Sequence, residues 1–267
     1  MSLMVYAVSA KKEENEFNLF EAIVKALNKN NIQLVEGDVI LISSKYVSNS
    51  QGRIIAMDKV KISSEAKKLA KKFKLGSELA EIIVRESDQI FGGIPGFVIT
   101  YSNNIMAPNA GIDKSNVGKG KVILYPTSPY HIAEQLRRKI FVEFSIHVGV
   151  LIIDSRLMPA RVGTTGIAIA CAGIEPVNDM RTEEDLHGNP LKVTFQGVVD
   201  NLASIANHKM GEASESVPIV IIRNSGSRLT NRMIDPNEIS ISYDQCVYVR
   251  GLREAKKEKF VNNAFLK

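Results

Sequence analysis

Residues able to bind a phosphate or a divalent cation follow a buried segment near the middle of the chain. Residues 148–153 form a short apolar run that predicts one buried strand, and Asp154 and Ser155 come directly after it. Arg156 and Arg161 lie just beyond, before a turn rich in Gly and Thr. Carboxylate and hydroxyl oxygens are ligands of Mg²⁺ and Mn²⁺, and guanidinium groups bind phosphate oxygens bidentately. The pattern indicates an anion or metal–phosphate site, although a capped turn with solvent-facing arginines has the same spacing.

Two further polar stretches carry acids that could complete such a site. Residues 107–118 are too rich in Asn, Gly, Asp and Ser for regular structure, and they include Asp113 and Asn116. A second polar stretch begins at Glu212, after a predicted helix. An isolated loop aspartate more often forms an Asx-turn than a metal site. The acids therefore predict a cation and phosphate site only if these loops meet in space.

The elements that must position these loops alternate between helix and strand. The run 39–43 is a short apolar strand followed by Ser44 and Lys45, so a hydroxyl and a cation again follow a buried strand. Periodicity and caps predict helices over 17–27, 64–73, 76–90, 129–144 and 198–210. Apolar runs predict strands over 97–101, 122–125, 148–153 and 217–222. Turn residues predict turns at 92–96 and 163–166, and the polar segment 175–190 is predicted to be a long functional loop. Interleaved strands and helices predict an α/β or mixed α+β class without a clean internal boundary.

Composition excludes several classes of protein. The 267 residues are 45% hydrophobic and 24% charged, which is typical of a globular chain. The net charge of +5 comes largely from residues 66–74 and 253–267. In the first of these, lysines alternate with apolar residues as on the solvent face of a helix, so we expect no nucleic-acid partner. Neither a signal peptide nor a membrane span is expected, and Cys171 and Cys246 are predicted to be reduced core thiols of a cytoplasmic protein.

Standard catalytic and nucleotide-binding fingerprints are missing from the sequence. Residues 118–121 lack P-loop spacing, no GxGxxG follows a strand, the four histidines lack zinc spacing, and G-x-S-x-G is absent. Instead, the segment 109–117 (NAGIDKSNV) resembles the NAGiDxSNv motif of the coenzyme F-420-0:L-glutamate (gamma-glutamyl) ligases. Five further segments resemble elements of that family in the same order: 44–53, 152–155, 166–173, 185–194 and 210–223.

This resemblance implies a GTP-dependent amide ligase that joins the amine of L-glutamate to a carboxylate of a deazaflavin precursor through an acyl phosphate. It also implies magnesium or manganese, often with potassium, and the family's own mixed α/β fold as an intertwined homodimer. By motif position, Asp113 and Asp154 would bind one cation, and Ser155 and Glu212 a second. The nucleotide contacts would come from Ser44, Lys45, Asn116, Met210, Gly211 and Ala213. Arg156 and Arg161 are the candidate catalytic residues, holding a phosphate or a carboxylate substrate.

The resemblance divides the chain and leaves alternatives open. It predicts a ligase-like domain over 1–223 and a C-terminal extension over 224–267 that ends in a charged tail. The family's G-I-P motif is replaced at 8–12, and its D-T-F-G-R-P-W-R segment is replaced at 154–164. Because of these departures, two alternative functions remain open. One is a related acid–amine ligase with a different acceptor, and the other is a non-catalytic protein that binds a metal and a nucleotide.

Overall fold

The computed structural model describes residues 1–13 and 15–254, and within them the chain forms twelve strands and seven α-helices. The strands are β1 (Met4–Val8), β2 (Val39–Ser43), β3 (Ile54–Ala56), β4 (Gln89–Ile94), β5 (Phe97–Ser102), β6 (Ile105–Pro108), β7 (Lys121–Ile123), β8 (Gly149–Leu157), β9 (Thr164–Ala172), β10 (Val177–Asp179), β11 (Phe195–Gly197) and β12 (Ile219–Arg223). The helices are α1 (Leu19–Lys29), α2 (Ser44–Ser50), α3 (Ser64–Phe73), α4 (Ser77–Glu86), α5 (Pro129–Phe144), α6 (Val198–Met210) and α7 (Val247–Glu254). Short 3-10 turns cover Met57–Lys59, Asn109–Gly111 and Pro236–Glu238. The predicted mixed α/β class is confirmed.

The central sheet has five strands in the order β1-β12-β2-β8-β9. Strands β2 and β8 are parallel, with Ser43 beside Ile153, and the other neighbours are antiparallel. Because β12 runs against β2, its first residues lie where β2 ends, and the Ser43 amide donates to the Pro218 carbonyl at 2.9 Å. The chain segments that leave β2 and enter β12 therefore meet at one edge of the sheet.

Helices cover both faces of the central sheet. Successive residues of a strand point to opposite faces, so Ile40 and Ile42 pack with α1 and α5, whereas Val39 and Leu41 pack with α6. All four side chains are fully buried. This three-layer arrangement explains why β2 is a continuous apolar run rather than an alternating one.

Three smaller sheets, β4-β5-β6, β3-β7 and β10-β11, complete the structure. Phe73, Leu79, Ile83 and Val98 form a separate apolar cluster that joins α3 and α4 to β5. The polar stretch after β6 follows the three-stranded sheet, and Asp113 pairs with Ile123 of β7. This pairing holds the loop containing Asp113 against the sheet formed by β3 and β7.

The structure corrects the prediction for the segment that contains Asp154. The strand does not end before that acid but continues to Leu157, because β8 pairs with β9 from Asp154 opposite Ile167 to Arg156 opposite Thr165. The predicted turn at 163–166 is correspondingly part of β9 from Thr164 onward. The candidate residues therefore lie within a β-hairpin, where cross-strand hydrogen bonds hold their backbone.

Other differences have similar causes. The helix predicted over 76–90 ends at Glu86, since residues from Gln89 onward pair with β5, and the turn predicted at 92–96 is largely strand for the same reason. The predicted loops at 107–118 and 175–190 contain the end of β6 and all of β10. Cys171 is buried as predicted, but Cys246 is partly exposed.

Several predictions are confirmed closely. The strand at 39–43 and the helix at 64–73 match residue for residue, and the lysines of that helix are exposed while Ala66, Ala70 and Phe73 are buried. No helix among the described residues is long and apolar enough to cross a membrane. The division at residue 223 stays a prediction, and most of the charged tail lies outside the described residues.

Candidate functional site

A cavity of about 660 Å³ opens at the edge of the central sheet where β2 ends and β12 begins. Its walls come from the segment after β1, from Lys45 and Tyr46 of α2, from the polar loop at 115–118, from β8 and from the loop between α6 and β12. Cavities of this volume hold small organic ligands and cofactors. The loops that the sequence singled out therefore converge on one concave site.

Asp154 is held at this cavity by two hydroxyl groups. The Ser44 Oγ donates to its Oδ1 at 2.8 Å, and the Tyr125 hydroxyl donates to its Oδ2 at 2.6 Å. Ser44 reaches the carboxylate because β2 and β8 are parallel neighbours whose carboxyl ends lie side by side. Both oxygens of Asp154 therefore have a fixed orientation.

Burial governs the electrostatics of this acid. Removal from water raises the pKa of Asp154 above its usual range, and the hydrogen bonds from Tyr125 and Ser44 act in the opposite direction. Burial also raises the pKa of Tyr125 far above its ordinary value, and the nearby charge of Asp154 adds to this effect. Tyr125 therefore keeps its proton and remains a hydrogen-bond donor.

A glycine makes room for this tyrosine. Gly111 has a φ of +66°, and a Cβ at this position would lie 2.2 Å from Cζ of Tyr125. Any larger residue would have to displace the ring while also adopting a strained backbone. Gly111 of the NAGIDKSNV segment therefore positions the donor to Asp154 without touching the cavity.

Replacing Tyr125 by Phe tests the importance of this donor. We expect Tyr125→Phe to lower the free energy of unfolding by about 1–2 kcal/mol, because one oxygen of the half-buried Asp154 carboxylate loses its partner. Urea denaturation would measure the change. Tyr6→Phe is the matched control, since the Tyr6 hydroxyl donates to the Met4 sulfur and not to a carboxylate. Equal effects of the two substitutions would contradict the assignment.

Lys45 connects α2 to the polar loop. Its Nζ lies 2.5 Å from Oδ2 of Asp113 and donates to the Ser115 hydroxyl at 2.9 Å. Burial acts to raise the pKa of Asp113, but the hydrogen bonds from Lys45 and Ser115 and the lysine charge outweigh it, so the pKa is lowered. Asp113 is thus an anion next to Lys45, a cation that lines the cavity.

The loop after α6 forms the opposite wall. Gly211 ends the helix with a φ of +76°, and Glu212 accepts hydrogen bonds from Thr164 at 2.8 Å and Asn207 at 2.9 Å. Across the cavity, the Asn116 amide donates to the Ala213 carbonyl at 3.3 Å. The two loops predicted to contact a nucleotide therefore touch each other.

The structure brings together most of the predicted site residues. The cavity is lined by Lys45, Asn116, Asp154, Ser155, Met210, Gly211, Glu212 and Ala213. Ser44 and Asp113 are not among its lining residues but bond to Asp154 and Lys45. Arg156 instead lines a second cavity, and Arg161 is exposed in the β8–β9 turn. The catalytic roles assigned to the two arginines stay predictions.

The acids are not gathered into one tight cluster. Across residues 1–13 and 15–254 there is no group of three or more His, Cys, Asp or Glu side chains arranged to hold a metal ion. The oxygens of Asp154, Ser155 and Glu212 nevertheless line the same cavity. This donor set suits a hard cation that takes only one or two carboxylates from the protein and its other ligands from phosphate and water.

Sequence reasoning missed two contributions to the site. Tyr125 ends an apolar run and precedes Pro126, and nothing in this pattern indicates a partner for Asp154. Lys11 and Lys12 line the cavity although their segment lacks the family's G-I-P motif. Their position follows from the pairing of β1 with β12, which places the end of β1 at the cavity.

Comparison with known proteins identifies the family of this chain. The sequence profile of a family described as F420-0:Gamma-glutamyl ligase matches residues 9–224. This chain belongs to the F420-0:gamma-glutamyl ligase family. The predicted resemblance is thereby confirmed, as is the predicted class of enzyme, a ligase that forms carbon–nitrogen bonds.

Three proteins similar to this chain are named coenzyme F420:L-glutamate ligase. The protein of Methanopyrus kandleri is 38% identical over 72% of this chain and 76% of its own length. The protein of Methanocaldococcus jannaschii is 38% identical over 79% of this chain and 83% of its own length. The protein of Archaeoglobus fulgidus is 33% identical over 72% of this chain and 77% of its own length. The matches therefore cover most of each protein.

Proposed function

We propose that this ligase uses GTP and a divalent cation to join the amine of L-glutamate to a carboxylate of a coenzyme F420 precursor. One observation carries the proposal: the 660 Å³ cavity is lined by Asp154, Ser155 and Glu212 together with Lys45, so oxygen ligands and a cation surround one space. The names of the relatives supply the two substrates.

The nucleotide would bind along the two loops that touch each other. Lys45 would neutralise phosphate oxygens, and Asn116 with the backbone of 210–213 would contact the remainder of the nucleotide. Mg²⁺ or Mn²⁺ would be held by Asp113 and Asp154 at one position and by Ser155 and Glu212 at a second. Bound cations supply charge neutralisation between phosphate oxygens during phosphoryl transfer.

The residues would then support a two-step condensation. The γ-phosphoryl group passes from GTP to the acceptor carboxylate, which yields GDP and an acyl phosphate. The neutral amine of L-glutamate attacks the acyl carbon, the bond from that carbon to the phosphate oxygen breaks, and the amine loses a proton as inorganic phosphate leaves. The fixed orientation of Asp154 supports catalysis by positioning, which contributes much of the rate in such transfers.

A substrate-omission assay tests the proposal directly. We expect GDP release to require the divalent cation, L-glutamate and the deazaflavin acceptor together. Release that is stimulated by another carboxylate instead of the deazaflavin would favour the alternative acid–amine ligase. If the protein does not bind GTP at millimolar concentration in the presence of Mn²⁺, both the proposed ligase and the alternative acid–amine ligase are contradicted.

Lys45 provides a sharper test of the nucleotide site. We expect Lys45→Met to raise the KM for GTP by about tenfold to a hundredfold, because a charged hydrogen bond to phosphate is worth about 1.5–3 kcal/mol. Steady-state kinetics at varied GTP would measure this. Lys68→Met on the exposed face of α3 is the matched control and should leave the KM unchanged. A KM for Lys45→Met equal to that of the control would argue against phosphate binding here.

The assembly and location belong to the same proposal. We infer a homodimer, as the family resemblance implies, and a cytoplasmic location, as the reduced cysteines suggest. Phe91, Ile94, Phe97 and Ile99 of β4 and β5 are exposed apolar residues, which supports burial of this surface against another copy. The two free cysteines are compatible with a reducing compartment.

A further inference from the structure

A second cavity, of about 210 Å³, lies along the outer edge of β9. Strand β9 is the last strand of the central sheet, and no other strand in the described part of the chain covers its outer edge. The cavity is enclosed by the end of β5 and the turn into β6, by Tyr130 of α5, by the start of α6 and by residues 239–246 of the C-terminal segment. The predicted extension therefore forms one wall of a site built mainly by the rest of the chain.

A half-buried arginine, Arg156, points into this cavity. Arg156 lines it, and none of the hydrogen bonds or ion pairs in the described part of the chain involves its guanidinium group. By contrast, the half-buried Arg53 and Arg137 bond to Glu86 and Glu134. A guanidinium group with five free donors in a partly closed space is suited to bind a carboxylate bidentately.

An acid of opposite charge lines the same cavity. Asp200, near the start of α6, accepts a hydrogen bond through Oδ1 from the Ala168 amide at 2.9 Å, and this bond caps the free edge of β9. Its Oδ2 has no hydrogen-bond partner among residues 1–13 and 15–254. Arg156 and Asp200 are not within ion-pair distance of each other, so each could meet a different charged group of one ligand.

The remaining walls are mainly apolar and limit the size of that ligand. Ile105, Ile167, Ile169 and Ile239 line the cavity together with tyrosine side chains. Pockets for drug-sized molecules have volumes of about 300–1,000 Å³, so this smaller cavity suits a ligand of amino-acid size. A small molecule carrying one positive and at least one negative group matches its chemistry.

We propose that this cavity binds a free α-amino acid, with a carboxylate of the ligand on Arg156 and its ammonium group on Asp200. The inference rests on the proposed function, in which L-glutamate is the amino-acid substrate, and it assigns that substrate a place apart from the nucleotide. Ser155 lines the larger cavity and the next residue, Arg156, lines the smaller one. The two sites therefore adjoin consecutive residues of β8.

Calorimetry with two ligands and two variants tests the assignment of each charge. L-glutamate carries both charged groups, whereas glutarate has the carboxylates without the amine. We expect Arg156→Met to weaken the binding of both ligands by about tenfold or more, because each loses a charge-assisted hydrogen bond. Asp200→Asn should weaken the binding of L-glutamate by a similar factor and leave the binding of glutarate unchanged or slightly tighter.

Each titration would be run on the full chain, with and without Mg²⁺ and a non-hydrolysable GTP analogue. Lys192→Met and Asp58→Asn, both exposed, are the matched controls and should bind both ligands like the unmodified protein. The inference is overturned if Arg156→Met binds both ligands normally, if Asp200→Asn affects them equally, or if the unmodified protein binds neither ligand.

Binding of the GTP analogue by the same samples separates this inference from the proposed function. Retained analogue binding by Arg156→Met and Asp200→Asn would show that both variants are folded. If the unmodified protein binds the analogue but no amino acid, the second cavity is wrongly assigned while the nucleotide site stands. If it binds the amino acid but no nucleotide, the proposed GTP dependence fails while the amino-acid site stands.

Discussion

Asp154→Asn should reduce the rate of GTP-dependent ligation by about a hundredfold to a thousandfold, which is the usual cost of removing one group that stabilises developing charge. The substitution preserves the shape of the side chain but removes the negative charge that would hold a cation at the phosphates. It also places an amide nitrogen against either Ser44 or Tyr125, both of which donate to the carboxylate. The rate of GDP formation at saturating substrates and cation would measure the effect.

Asp58→Asn is the matched control for this prediction. Asp58 is exposed in the turn Met57–Lys59, which lies between β3 and α3, so its substitution should leave the rate unchanged. Circular dichroism of both variants would separate loss of chemistry from loss of fold. A rate for Asp154→Asn within about threefold of the control would remove this carboxylate from the catalytic machinery, since that ratio is below 1 kcal/mol.

Gly166→Ala should lower the free energy of unfolding by about 2–3 kcal/mol, which is in the upper part of the range for overpacking a core. A Cβ at Gly166 would lie 2.2 Å from the backbone oxygen and 2.6 Å from the carbonyl carbon of Ala203 in α6. Because the obstructing atoms belong to the backbone, no side-chain rotation relieves the clash, and α6 must move away from β9. Urea denaturation would measure the loss.

The same displacement should reach the candidate site. Helix α6 carries Asn207, which bonds to Glu212, and Met210, which lines the larger cavity. Gly251→Ala is the matched control, because a Cβ there meets no atom of the described residues within 4 Å and Ala favours a helix over Gly. It should leave stability unchanged or slightly higher. If Gly166→Ala is as stable as Gly251→Ala, the contact between α6 and β9 is more adaptable than its geometry indicates.

Local sequence patterns identified most elements of the central sheet and its helices. The strand at 39–43 is apolar throughout because both of its faces are covered, and the helix at 64–73 shows a clear division between buried and exposed positions. Such patterns depend on residues adjacent along the chain, so they can be found without knowing the fold. The family motifs likewise pointed to the loops that surround the larger cavity.

The end of β8 was beyond such reasoning. Asp154 to Arg156 are polar, so their hydropathy suggested that the strand had ended, yet pairing with β9 continues through them. Pairing between strands depends on a partner strand at any distance along the sequence, and the hydropathy of one strand does not reveal that partner. The same limitation hid the strand character of residues 89–94, which pair with β5.

The sequence by itself determined the family, the class of reaction and which acids and cations could carry it, because these follow from residue types in ordered motifs. Tertiary structure alone decided how they are arranged. It brought Tyr125 to Asp154, joined Lys45 to Asp113, and separated Arg156 from the larger cavity to place it opposite Asp200. These residues are up to 68 positions apart in sequence and belong to different elements. Only the packing of those elements could therefore decide which of them lie near each other. The β8–β9 hairpin, which the sequence predicted to form one phosphate site, thus contributes residues to two cavities.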